Sequence, residues 1–185
     1  MLSKLVRLAA LLLLTVTFVV YAQALSQDRR LVKALFTDVS NEGNYSKILN
    51  GLPYYQYIEK AGVKLYNEQV NSGQLNCNQI KLWGDKLTTI NKRNTQGYYL
   101  LTACAEAEGN EEKAIDLIEI AIEYDPMNTQ YLLGAAILYL NSDNLNVAES
   151  YLKKVEMIDP KTFNLDKIVA ILDEKKLQVA SKNSE

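Results

Sequence analysis

Two phrases in this chain stand 34 residues apart: Tyr124-Asp125-Pro126 and Ile158-Asp159-Pro160. Small residues keep the same offset, with Ala114 and Ala148 each 12 residues before their proline. A period of this length means one helix–turn–helix unit used twice. Each such unit leaves apolar faces that only a neighbour can cover, so the chain is committed to a stack of helices. Stacks of this kind commonly bind other proteins and seldom carry out chemistry.

Composition agrees. Only three prolines and eight glycines occur in 185 residues, and the prolines sit where helices begin or end. An all-α fold follows, with 48% apolar residues to form its core. The net charge is −2 and no basic run dominates, which argues against nucleic acid as a partner. The chain has no histidine, so the commonest general base and metal ligand is missing. Two cysteines cannot by themselves make a four-ligand zinc site. No catalytic set, cofactor or metal site is expected.

The N-terminus reads as a membrane or export signal. Leu5 to Ala24 is almost wholly apolar, and Lys4 and Arg7 precede or begin it. A helix of that length rises about 30 Å, the thickness of a bilayer's hydrocarbon core. An uncleaved signal anchor is one reading. A signal peptide is the other, because Ala22-Gln23-Ala24 has the form of a cleavage site. The long run favours the anchor, and with it contact with the lipid bilayer. Lys4 and Arg7 on one side nearly balance Arg29, Arg30 and Lys33 on the other. The short tail and the cleavage-like residues place the body outside the cytoplasm, periplasmic or extracellular, or secreted if the signal is cleaved.

Five segments follow from the punctuation: 1–25 anchor or signal, 26–52 membrane-proximal helix and linker, 53–94 degenerate helical repeat, 95–160 two repeats, and 161–185 capping helix and polar tail. Helices are predicted at Pro53–Asn71, Asn78–Asn91, Thr95–Glu108, Glu111–Tyr124, Asn128–Asn141, Leu145–Ile158 and Phe163–Val179. The tail from Lys175 onward is expected to fray.

The region Thr95–Pro160 resembles the tetratricopeptide repeat family. In its first unit Tyr98, Leu101, Thr102 and Ala105 occupy the signature positions of helix A, and Ala114, Ile118, Ala121 and Pro126 those of helix B. In the second, Leu132, Ala135, Ala136 and Tyr139 are followed by Ala148, Leu152, Val155 and Pro160. Thr102 stands where the family prefers glycine or alanine. The resemblance implies a short solenoid of antiparallel helix pairs. A final helix would cap it with Leu165, Ile168, Val169 and Leu172. The pair before Thr95 does not fit the signature in register.

The resemblance also implies which side chains face the concave groove: Gln96, Tyr99, Ala103 and Glu106 in the first unit, and Gln130, Leu133, Ile137 and Leu140 in the second, with Tyr99, Leu133, Ile137 and Leu140 as the partner-binding candidates. Their apolar stripe could receive a partner's segment, or be filled by the chain's own helices. Cys77 and Cys104 fall on adjacent antiparallel helices. Outside the cytoplasm such a pair is commonly a disulfide; inside it, two inert thiols. The expected function is a membrane-anchored adaptor that is not an enzyme. It would hold another membrane or extracytoplasmic protein in envelope assembly, secretion or a surface-polymer system. Two other readings remain: a structural subunit of a membrane or filament assembly, and an accessory domain of a glycan polymerase or other membrane enzyme.

Overall fold

The structure, a computed structural model, describes residues 16–20 and 55–182. Residues 16–20 are helical and exposed. The rest of the Leu5–Ala24 run, and the membrane-proximal segment expected at 26–52, lie outside the described residues. Among the described residues no helix is long and apolar enough to cross a membrane. The chain divides into two units, Met1–Ala61 and Gly62–Glu185, and the repeats belong to the second.

Seven helices follow: α1 Tyr55–Ser72, α2 Cys77–Ile90, α3 Thr95–Ala107, α4 Glu111–Tyr124, α5 Thr129–Asn141, α6 Leu145–Ile158 and α7 Leu165–Lys182. From α2 to α6 each packs on the next; α7 packs on α6 and touches α5. Among the described residues there is no strand.

Asparagine sets the helix starts. Asn76, Asn94 and Asn110 precede α2, α3 and α4, and each side chain accepts a hydrogen bond from the backbone N–H three residues on, at 3.3, 2.7 and 3.2 Å. Asn128 accepts from the N–H groups of Gln130 and Tyr131. Each cap satisfies a helix-end donor that would otherwise lack an intrahelical partner, worth about 1 kcal/mol. Asn144 holds the same place before α6 without a side-chain cap bond.

These caps show that α2, the second helix of the first pair, keeps the 34-residue period, whereas α1, with 18 residues against the 13 of α3 and α5, does not. Asn76, Asn110 and Asn144 recur every 34 residues, and so do the bounds of α2, α4 and α6. What departs is the order of sizes. Helices α4 and α6 carry a small residue and then a large one, Ala114 then Ile118, and Ala148 then Leu152. Helix α2 reverses them, with Ile80 then Gly84. The next helix compensates. Leu101 fills the space over Gly84, whereas Ile118 reaches toward Gly134. The fit is kept with knob and hole exchanged, which hides the unit from a signature based on residue size.

Most signature positions of the two later units are core, while Tyr98, Leu101 and Tyr139 are half-buried and Pro126 and Pro160 exposed. Ala105, Ala114, Ile118, Ala121, Leu132, Ala135, Ala136, Ala148, Leu152 and Val155 are all buried. Thr102 is buried too, and its hydroxyl donates to the Tyr98 carbonyl at 2.9 Å, so the departure carries no unsatisfied group. The two units are also tied by a polar link. Tyr139 on α5 and Tyr151 on α6 both donate to the Glu119 carboxylate on α4, at 3.0 Å and 2.6 Å.

Helix α7 differs from expectation at both ends. Phe163 lies in the turn before it and is 82% exposed, and the helix continues to Lys182 rather than fraying from Lys175. Leu165, Ile168 and Leu172 are buried as a cap requires, but Val169 faces outward. Lysines hold the second half. Lys175 donates to the Leu140 carbonyl and to Asp143, and Lys176 to Glu149.

Candidate protein-binding groove

Helices α1, α3, α5 and α7 are the first members of successive pairs. A ladder of side chains joins the first three. The Tyr66 ring on α1 meets Tyr99 on α3 edge-on, with centroids 6.0 Å apart. Tyr99 in turn lies 5.4 Å from the ring of Tyr131 on α5. The Gln130 side-chain amide donates to the Tyr99 hydroxyl at 3.2 Å. Tyr99 is thus fixed from both neighbouring helices. Burial, reinforced by Tyr99, pushes the Tyr66 phenol well above its usual range.

Beside this ladder runs an open groove of about 550 Å³. Leu133, Gly134 and Ile137 of α5 and Ile168 of α7 form its apolar floor. Thr129, Gln130 and Tyr99 rim one end; Asp159, Lys161, Thr162, Phe163 and Asn164 build the opposite wall. Asn164 adopts a left-handed backbone conformation (φ 65°), which asparagine tolerates better than most residues. It ends the turn that presents Phe163.

Three of the four residues expected to face a partner lie here: Tyr99, Leu133 and Ile137. Ile137 is 37% exposed, whereas Leu133 at 9% belongs largely to the core. Leu140 does not line the groove. It is 3% exposed, because α7 crosses this end of α5 and Lys175 is hydrogen-bonded to the Leu140 carbonyl. The wall from Asp159 to Asn164 was not foreseen. Its signal was present: Asp159, Pro160, Thr162 and Asn164 are turn formers around Phe163.

The groove offers apolar surface, hydroxyls, amides, and one charge of each sign. That is a binding surface for a chain with apolar side chains and a polar backbone. Among the described residues no cluster of three or more His, Cys, Asp or Glu side chains could hold a metal ion. The cysteines expected to pair, Cys77 and Cys104, lie away from this groove; both are free thiols here.

No protein-family model matches the chain, and no curated protein sequence matches it significantly. Solved structures do resemble it. The type III secretion translocator chaperone SycD of Yersinia enterocolitica superposes with a TM-score of 0.57 at 19% identity, over 77% of this chain and 98% of that one. The same chaperone in complex with a peptide of the translocator YopD gives 0.54 at 20% identity, over 64% and 92%. The MamA protein gives 0.60 at 16% identity, over 85% and 81%. The fold is a tetratricopeptide-like helical repeat. At these identities the likeness concerns the fold alone.

Proposed function

We propose that this chain is a non-enzymatic adaptor whose groove captures an extended segment of another protein. The observation that carries the reading is the groove between α5 and the α6–α7 turn. It is apolar at Leu133, Gly134, Ile137 and Ile168, polar around its rim, and open to solvent. An extended segment would set one or two apolar side chains on the floor, with Phe163 closing over them. The rim amides and hydroxyls would meet its backbone. A similar fold holding a translocator peptide supports a peptide as occupant.

The uncharged N-terminal run adds a membrane tether to this proposal. The repeats would then stand outside the cytoplasm and hold a membrane or extracytoplasmic protein. The test is site-specific photocrosslinking in intact membranes, with the probe placed at Ile137, at Phe163, and at Met157 as a control outside the groove. The reading requires a common adduct from Ile137 and Phe163 that Met157 does not give. Identical adducts from all three positions, or adducts from Met157 alone, would overturn it.

A permanent subunit of a larger assembly is the second reading, and a specific observation favours it. Tyr124, Met127 and Met157 are exposed on one side of the stack, and Ile171, Leu177 and Val179 on the last helix. Apolar surface outside the groove suits lasting contacts. Co-purification of one stoichiometric partner, undisturbed by Ile137→Asp, would support this reading over the groove.

A further inference from the structure

Cys77 opens α2, and Cys104 lies in the last turn but one of α3. The two helices run antiparallel, and the thiols meet where they lie side by side. Each sulfur stands 3.8 Å from the other residue's carbonyl oxygen, with the Cys77 thiol donating to the Cys104 carbonyl and the Cys104 thiol to the Cys77 carbonyl. An ion pair between Lys81 and Glu108 holds the same two helices together close by. The thiols differ in access. Cys77 is half-buried, while Cys104 is fully buried. Burial, together with the hydrogen bond to the Cys77 side chain, pushes the Cys104 thiol well up.

We infer that Cys77 and Cys104 form an ordered thiol pair, a modification site at which Cys77 reacts first with an external disulfide and Cys104 then resolves the adduct. The groups that carry the inference are adjacent, unequal in exposure and fixed on two packed helices. A bare pair of thiols would show no order.

The chemistry balances in two exchanges. The Cys77 thiolate attacks one sulfur of a small disulfide. A Cys77–sulfur bond forms, the original sulfur–sulfur bond breaks, and one thiolate leaves with the electron pair. Cys104 then loses its proton and attacks the Cys77 sulfur. The protein disulfide forms and the second small thiolate departs. The two cysteine sulfurs are oxidised, and the small disulfide is reduced to two thiols. Entry must occur at Cys77, because a bulky disulfide cannot reach a fully buried sulfur without opening the helix pair. The product would staple the start of α2 to the end of α3. This inference is independent of the groove and of its occupant.

The test uses oxidised glutathione on the full-length chain in detergent, followed by alkylation and intact mass. Wild type should finish with both cysteines blocked to alkylation and with no glutathione retained. Cys104→Ala should keep one glutathione, mapped to Cys77, and Cys77→Ala should take up none while folded. Cys104→Ser serves as the second variant, and circular dichroism checks both. If neither variant folds, the transient glutathione adduct of wild type, trapped by acid at early times and mapped, decides: it should sit on Cys77, and an adduct on Cys104 would overturn the order. Free thiols after treatment, a glutathione adduct that persists in wild type, or modification of Cys104 in folded Cys77→Ala would each overturn the inference.

Discussion

Gly84 and Gly97 face each other across the α2–α3 crossing. A β-carbon on Gly84 would stand 3.0 Å from the Gly97 carbonyl oxygen, and one on Gly97 would stand 3.1 Å from the Gly84 oxygen. The side chain of Leu101 comes closer still, 2.6 Å from the position a Gly84 β-carbon would take. Alanine is the better helix former by about 1 kcal/mol. Here crowding against backbone outweighs that gain, since overpacking a tight site costs about 1–3 kcal/mol. Gly84→Ala and Gly97→Ala should therefore each lower the urea midpoint. A rise in either variant would show that the helices can separate cheaply.

Ala148 and Glu149 are neighbours in sequence with opposite surroundings. Ala148 is fully buried between packed helices, so Ala148→Leu should destabilise the protein by about 1–3 kcal/mol. Glu149 accepts ion pairs from Lys153 and Lys176 at the surface. Glu149→Ala should have a small effect that shrinks further in high salt. Equal melting temperatures for the two variants would place the repeat boundary elsewhere.

The groove separates Leu133 from Ile137. An aspartate at the half-exposed Ile137 position keeps access to water, so Ile137→Asp should stay folded while losing partner capture. Leu133→Asp buries a carboxylate without a partner and should unfold the repeats. Circular dichroism melting and capture by pull-down are read on the same samples. An Ile137→Asp variant that folds and still recovers its partner removes this residue from the proposed surface.

Acid should loosen the last helix. Hydrogen bonds from Lys175 hold the Asp143 carboxyl below its usual range, and those from Lys176 and Lys153 do the same for Glu149. Carboxylates depressed in the folded state stabilise it above their unfolded values, near pH 4, and that contribution is lost as pH falls further. Stability measured by urea should therefore fall below about pH 4. The fall should be shallower when Lys175 and Lys176 are both changed to glutamine. An unchanged slope in that double variant would rule out the two lysines as its cause.

For the N-terminal run, the expected outcome is retention. Intact mass of the mature protein should include Leu5–Ala24, and the protein should stay with membranes after alkaline extraction. A mature chain beginning at Leu25 would instead identify a cleaved signal peptide.

The repeat fold was legible because Asp125-Pro126 and Asp159-Pro160 punctuate it and the alanines fix tight contacts between them. The first pair was harder to read. Its Ile80 and Gly84 exchange large for small, and only the asparagine caps keep the beat. Within the groove, the family resemblance placed Tyr99, Leu133 and Ile137 on one face. It misplaced Leu140, because the path of α7 over the end of α5 depends on tertiary packing. Phe163 escaped for a related reason. Its place in a turn rests on the left-handed backbone of Asn164, a choice that periodicity does not encode.

The cap spacing has a kinetic consequence. Because each helix from α2 to α6 packs on the next, most contacts are local in sequence. Proteins built this way fold fast for their size and open progressively rather than all at once. The last helix, clasped by three lysine hydrogen bonds and a short apolar edge, should be the first to open. Amide exchange should rise toward the C-terminus and be slowest in α4 and α5, so the groove's outer wall is also its most readily parted seam.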